Sequence, residues 1–309
     1  MSDCVSKYRR YSEHLKNKFG VKVYKLPINL PGTCPNRDGF KGKGGCVFCD
    51  EEGAGFDALP PALSVAQQVA RNKEFYRRRF GAEKFIGYFQ SYSNTYLPVE
   101  QFRRNLLAAC GEDIVGISVS TRPDCVTEGY LDALEEISRE QGVDINVELG
   151  LQTVNYRTLK KINRGHTLAE FVDAVDRVKA REFEVCVHMI LNLPWDDIED
   201  VIEGAKFLSA FHVDYVKLHS LYVVEGTKLA EMYTAGEIQV CSLDEYIERV
   251  GAFIRYLRPE TVIQRLAAKG PKGRVLFCNW GLDYRQVVQT IEKYLETMDI
   301  CQGMDFNYL

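Results

Sequence analysis

The stretch Thr33-Cys34-Pro35-Asn36-Arg37-Asp38-Gly39-Phe40-Lys41-Gly42-Lys43-Gly44-Gly45-Cys46-Val47-Phe48-Cys49 spaces three cysteines as C-x11-C-x2-C, with no fourth Cys or His nearby. Protein-bound iron–sulfur clusters usually take four Cys ligands. Three ligands leave one coordination position open, and an open position separates a catalytic metal site from a structural one. The intervening loop suits a bulky ligand. Gly39, Gly42, Gly44 and Gly45 permit left-handed backbone and close approach, and their N–H groups can face sulfide. Phe40 and Phe48 are placed to keep water away. Two other readings stay open at this level. One is a zinc knuckle, although zinc prefers two ligand pairs and the chain has no second C-x-x-C. The other is a set of free thiols without a ligand.

Outward from this loop, β-rich apolar runs recur at 21–28, 85–90, 114–120, 145–151, 185–191 and 213–221. Amphipathic segments separate them. Ser64-x-x-Gln67 and Thr167-x-x-Glu170 read as capping boxes that open helices. Asp197 precedes a further segment, with Ile198, Val201, Ala205 and Leu208 on one face. Strands alternating with helices predict an α/β fold with a parallel sheet. Six units are too few for a closed eight-stranded barrel, so a partial, partly open (β/α)6 barrel is expected, with a doubly wound sheet as the alternative. One domain over 1–309 is expected: a basic N-terminal segment at 1–30, a core barrel at about 31–258, and a C-terminal extension at about 259–309.

The composition is that of a globular protein with a sizeable core, at 46% apolar residues. No apolar run reaches membrane-spanning length, and residues 1–30 lack the apolar stretch of a secretory signal. A cytoplasmic protein is expected. Ten cysteines in a chain of 309 residues without a signal argue for a reducing compartment, not a disulfide framework. Cys4, Cys110, Cys125, Cys186, Cys241, Cys278 and Cys301 are scattered and read mostly as small buried apolar residues. Net charge is −4, but residues 1–46 carry ten Lys or Arg and three acids, a local +7. A second basic group spans Arg71, Lys73, Arg77, Arg78, Arg79 and Lys84. Such asymmetry marks either nucleic-acid contact or a solvated helix face.

The cysteine loop resembles the cluster motif of radical S-adenosylmethionine (SAM) enzymes. It departs from their commonest C-x3-C-x2-C spacing by eight residues in the first gap. The long gap, Cys-Pro-Asn-Arg-Asp-Gly and Gly-Gly-Cys-x-Phe-Cys resemble a bacterial YhcC-like subfamily, which groups with elongator-type and coproporphyrinogen-dehydrogenase-type enzymes. Lys18-Phe19-Gly20 and Val23-Tyr24-Lys25-Leu26 are similar to the same subfamily. The likeness extends from residue 7 to about 300. It implies the partial barrel, and a [4Fe–4S] cluster on Cys34, Cys46 and Cys49 with SAM at its open iron. It also implies reductive cleavage of SAM to methionine and a 5′-deoxyadenosyl radical that abstracts hydrogen from substrate.

Further residues take implied roles. Ser91 to Tyr96 stands where relatives carry a Gly-Gly-Glu-like segment for the methionine amino group; Ser93 and Asn94 would assist there, or form an ordinary Ser/Asn turn. Thr121-Arg122-Pro123-Asp124 resembles an elongator-type motif in which Arg122 would pair with the SAM carboxylate. Glu148-Leu149-Gly150-Leu151-Gln152-Thr153 resembles the same branch. Glu148 and Gln152 would meet a ribose hydroxyl, or else a core hydrogen-bond network. Leu191-Asn192-Leu193-Pro194-Trp195 stands in place of Gly-Leu-Pro-Gly. His188 and His219 lie on strands and read as hydrogen-bonded core residues. Gln264-Arg265-Leu266 and Asn279-Trp280 resemble a C-terminal motif that would cap the substrate side. The implied partners are an electron donor such as flavodoxin or ferredoxin, and tRNA, whose wobble-uridine side chain is the favoured substrate. A small metabolite such as a porphyrin-like ring, and a non-enzymatic zinc-stabilised RNA-binding protein, stand as alternatives.

Overall fold

A computed structural model describes residues 6–50, 58–271 and 273–308. Seven parallel strands form one sheet in the order β1 (Val23–Ile28), β2 (Lys84–Phe89), β3 (Ile114–Thr121), β4 (Asp144–Gln152), β5 (Glu184–Ile190), β6 (Tyr215–His219) and β8 (Val262–Arg265). The strands are buried almost end to end; β4 is covered from Ile145 to Leu151. That is the pattern of a sheet shielded on both faces, by helices outside and by polar contents within. The partial barrel is therefore present, but with seven strands instead of six. The seventh, β8, lies in the stretch expected to be a C-terminal extension.

The covering helices are α2 (Val65–Phe80), α3 (Val99–Ala109), α4 (Glu128–Gln141), α5 (Tyr156–Lys161), α6 (Leu168–Ala180) and α7 (Ile198–Ala210). They are followed by α8 (Lys228–Thr234), α9 (Leu243–Tyr256) and α10 (Tyr284–Thr297). Both expected capping boxes form: Ser64 accepts from Gln67 N–H and Thr167 from Glu170 N–H. Each satisfies N–H groups that a helix start otherwise leaves without partners. The helices bury Phe102, Leu106, Leu131, Leu134, Phe171, Val175 and Leu208 against the sheet in one continuous core. A second apolar cluster, with Leu159, Ile162, Leu193 and Leu221, carries Val47 and Phe48 of the cysteine loop. A two-stranded antiparallel sheet joins β7 (Val223–Val224) to β9 (Val275–Phe277) beyond the end of β6.

The barrel stays open between β1 and β8. The N-terminal segment spans the gap: Arg10 bridges Ile263 in parallel, and Ile263 N–H donates to the Arg9 carbonyl at 2.9 Å. The helix that follows, α1 (Tyr11–Phe19), packs across the strand starts. Tyr11 meets the Tyr215 ring edge-on at 5.4 Å, and Lys18 pairs with Asp144 and Glu184. The basic segment thus lies at the end of the barrel opposite the cysteine loop. Most of its charge is paired internally, Lys7 with Asp299, Arg10 with Glu292 and Lys25 with Glu148. Of the basic residues at 1–46, Arg37, Lys41 and Lys43 stay in the cysteine loop itself. Cys125 and Cys186 are buried, but Cys110, Cys241, Cys278 and Cys301 are half-buried. Cys4 lies outside the described residues.

Candidate active site

A cavity of about 200 Å³ opens at the carboxyl ends of the strands, where α/β barrels keep their chemistry. Cys34, Cys46, Cys49, Arg37 and Phe48 form one side of it. Backbone bonds shape that loop: Arg37 N–H to the Cys34 carbonyl at 2.8 Å, and Cys49 N–H to the Cys46 carbonyl at 2.9 Å. Val47 N–H donates to the Ile162 carbonyl at 3.0 Å, and the Asn163 amide to Gly45 at 2.7 Å, so the segment after α5 holds the loop down. Gly45 has φ +78°, and a Cβ there would meet Arg37 Cγ at 2.9 Å. Only glycine fits both demands. Phe48 lines the cavity as expected, whereas Phe40 is 75% exposed and shields nothing.

Three N–H donors face the sulfurs. Arg164 Nη1 lies 3.5 Å from Cys46 Sγ, Asn36 Nδ2 3.8 Å from the same sulfur, and Arg37 Nη1 3.7 Å from Cys49 Sγ. Burial, and then Cys46 beside it, push the Cys49 thiol up to about 12, with Arg37 opposing. Added positive charge, which a metal supplies, would favour the Cys49 thiolate. Among the described residues, the three-residue set whose ligand atoms all fall within 4.8 Å is Glu148, Cys186 and His188. Cys34, Cys46 and Cys49 together line the cavity wall across from that set's His188. Three cysteines, two of them with amide or guanidinium donors on the sulfur, fit a [4Fe–4S] cluster with one open iron.

The remaining expected residues divide. Ser93 and Asn94 are buried and turned into the protein, not the cavity. Asn94 Nδ2 donates to the Phe89 and Ser120 carbonyls at 3.0 and 2.8 Å, and Ser93 Oγ lies 3.0 Å from Thr121 Oγ1. Gln90 and Tyr92 line the wall in their place. Arg122 does line the cavity, but its fork is taken by Asp124 at 2.9 and 3.0 Å. Its Nη1 donates to the Arg164 carbonyl at 2.9 Å. Asp124 is itself pushed up by burial, but Arg122 and then Lys41 hold it below the usual carboxylate range. Arg164 is a cavity residue that sequence motifs did not expose. It also donates from Nε and Nη2 to the Gly150 carbonyl, at 3.1 and 2.6 Å. Gln152 lines the cavity at the end of β4, in a left-handed conformation of φ +80° beside a register shift. Strained non-glycine backbone of that kind gathers at functional sites.

Glu148 is fully buried, and its carboxylate is spent within the protein. Lys25 donates to Oε1; Lys217 at 2.5 Å, His188 at 2.7 Å and Ser120 at 3.3 Å meet Oε2. These bonds form the core network, and Glu148 and Gln152 both also line the cavity. Burial pushes Glu148 toward the neutral acid, but Lys217, Lys25 and His188 outweigh it and hold it well below the usual range. Burial lowers Lys217 to about 8, which Glu148 only partly offsets. Burial and Lys217 lower His188 to about 4, and burial and Arg265 hold His219 well below its usual value. Both imidazoles are therefore neutral at pH 7. They are hydrogen-bonded, as expected of strand histidines, and both also line the cavity, with Tyr222, Arg265 and Lys269. Asn279 caps that side from behind, bonding Ser220 at 2.7 Å and the Ala268 carbonyl at 3.0 Å.

A curved parallel half-barrel with a cysteine loop at its mouth defines an α/β enzyme of the radical SAM type. The sequence matches the Radical SAM superfamily over residues 29–208 and the Radical SAM C-terminal domain over 213–297, and the chain belongs to that superfamily. It is an enzyme family that works with a [4Fe–4S] cluster and SAM. The chain is 33% identical to the uncharacterized protein YtqA of Bacillus subtilis, over 100% of this chain and 95% of that one. It is 34% identical to YhcC of Escherichia coli K12 over 91% and 90%. To human Elongator complex protein 3 it is 27% identical over 56% of this chain, spanning 31% of that protein. An archaeal Elp3 structure from Methanocaldococcus infernus superposes with a TM-score of 0.70 at 20% identity, over 91% of this chain and 64% of that one. No helix among the described residues is long and apolar enough to cross a membrane.

Proposed function

We propose that Cys34, Cys46 and Cys49 hold the cluster, and that the protein cleaves SAM reductively to take a hydrogen atom from a substrate seated against β5, β6 and β8. One observation carries this reading: the three sulfurs, with N–H donors on two of them, line one side of a cavity whose other side is polar. The cluster and SAM, when bound, supply the one-electron chemistry. The chain's own residues orient and shield. Arg164 and Arg37 stabilise thiolate charge on Cys46 and Cys49. The Arg122–Asp124 pair fixes the Arg164 carbonyl, and with it the loop that carries the Arg164 guanidinium. Phe48 keeps water from the cysteine side. A SAM carboxylate reaching Arg122 has to displace Asp124, so Arg122 serves this reading first as a positioning residue.

The favoured substrate is a wobble-uridine side chain in tRNA, which rests on the motif likeness to the elongator-type branch at Thr121–Asp124 and Glu148–Thr153. A reductant such as flavodoxin or ferredoxin, and a cytoplasmic setting, belong to the same reading. Two measurements test it. Cys→Ala at 34, 46 or 49, reconstituted anaerobically, is expected to lose most bound iron and all SAM cleavage; three variants that keep both would refute the ligand assignment. Nucleoside analysis of tRNA from cells with and without the protein is expected to differ at one modified uridine. Identical profiles would remove tRNA as the substrate and leave a small metabolite.

A further inference from the structure

Arg265 ends β8 at a register shift: Val216 pairs with Ile263 but Lys217 pairs with Arg265, so Gln264 is the extra residue. A bulge re-aims side chains. Here it turns two consecutive residues into the barrel, where a regular strand would send them to opposite faces. Gln264 accepts from Lys25 Nζ at 3.0 Å inside the barrel, and Arg265 lines the cavity. Both leave buried donors without an acceptor, Gln264 Nε2 and Arg265 Nε. The Arg265 hydrogen-bonding contacts are those of Nη2 with the His219 ring nitrogens, at 3.1 and 3.3 Å. Among the described residues no carboxylate pairs with it. Nearby Glu148 is shared by Lys25 and Lys217. With His188 and His219 neutral, this side of the cavity holds more positive charge than the described residues balance. An uncompensated charge in a desolvated site is costly, and a ligand that neutralises it binds favourably.

We propose that Arg265 is the recognition point for an oxyanion of the substrate, a carboxylate or a phosphate, bound on the β5–β6–β8 side across from the cysteine loop. The inference rests on the reading of this cavity as the radical SAM site and adds the chemical class of the group that enters it. The guanidinium fork matches either oxyanion with two parallel hydrogen bonds. The neutral imidazoles of His188 and His219, which line the same cavity, supply further polar contacts around it.

The test uses the anaerobically reconstituted protein, titrated separately with inorganic phosphate and with acetate, and followed by thermal unfolding. Binding to the native state raises the midpoint in a saturable way. Arg265→Gln is expected to need roughly tenfold more anion for the same shift, with SAM affinity measured in anion-free buffer unchanged. Arg265→Lys keeps the charge and is expected to keep part of the response. A stronger response to phosphate supports a phosphoryl-bearing substrate, and a stronger response to acetate a carboxylate-bearing one. Equal anion stabilisation in wild type and Arg265→Gln overturns the proposal. Loss of SAM affinity in Arg265→Gln also overturns it, because the residue then serves the cofactor. Should the Gln variant not fold, the Arg265 side-chain nitrogen resonances of wild type decide: a shift on adding phosphate or acetate supports the proposal, and none overturns it. Failure of the cluster assignment shows separately, as wild type without iron or SAM cleavage, and leaves the anion titration readable.

Discussion

Glu148 holds one buried negative charge between two ammonium groups, and its replacement isolates the cost of that arrangement. Glu148→Gln leaves Lys25 and Lys217 facing each other without a counter-charge. Breaking a buried pair in this way costs about 3–5 kcal/mol, read as a lower midpoint in chemical denaturation. The acid side follows from the direction of its shift. The folded pKa lies well below the unfolded value, so the contribution is complete above about pH 4.5 and is lost as pH falls toward the folded pKa. The Gln variant should lack that part of the acid-side loss, which parallel denaturation series from pH 7 downward would measure. At this scale the cysteines were legible because their spacing is local to one loop. Arg164 was not, because it meets Cys46 from 118 residues away, and only folding brings the two together. Ser93 and Asn94 read equally well as cavity or turn residues, since a short polar side chain in a loop satisfies either. Glu148 was legible as a buried acid needing partners, but its lysines come from β1 and β6 and carry no local signal.

Thr167 caps α6, the helix after the Arg164 loop, and ties an element to the site. Thr167 Oγ1 accepts from Glu170 N–H at 3.2 Å, and Glu170 accepts from Thr167 N–H at 2.7 Å. Both bonds fix the chain just after Arg164, Gly165 and His166. Thr167→Ala should cost about 1 kcal/mol of stability and leave the fold intact, measurable as a shifted denaturation midpoint with an unchanged slope. Near-wild-type stability would mean that Glu170 alone secures the helix start. Elements of this kind read well from sequence, since a capping box and an apolar period lie within one turn or two. Strand β8 did not. It has four residues, follows a Pro-containing turn, and alternates poorly because the bulge at Gln264 breaks its period. Its place in the sheet comes from pairing with β6 and from the Arg9–Ile263 bridge, and both contacts are long-range. The tool that aims Arg265 into the cavity is the same irregularity that hid the strand.

Charge asymmetry along the whole chain has a structural cause. The basic N-terminal segment closes the open seam of the barrel against acids that lie far away in sequence. Lys7 reaches Asp299, Arg10 reaches Glu292 on α10, and Lys18 reaches Asp144 and Glu184 at the starts of β4 and β5. A sequence shows the local +7 but not the partners that neutralise it, so RNA contact and internal pairing look alike before folding. By position the charges divide: those of α1 lie at the strand starts, while Arg37, Lys41 and Lys43 lie in the cysteine loop at the strand ends. This bears on any tRNA affinity the enzyme has. Each phosphate contact contributes to the salt slope of binding, so a surface that touches RNA reveals itself when its charges are removed. Replacing Arg9, Arg10 and Lys16 together with Gln should leave tRNA affinity and its salt slope at wild-type values. Stability should fall by under about 1 kcal/mol, because the Arg10–Glu292 pair is part-exposed and screened, while the backbone bridge from Arg9 to Ile263 survives the change. Fluorescence-anisotropy titrations at several salt concentrations provide the check. A flatter slope in the variant would mean that RNA wraps past the barrel mouth to its opposite end, and would return the N-terminal segment to the binding surface.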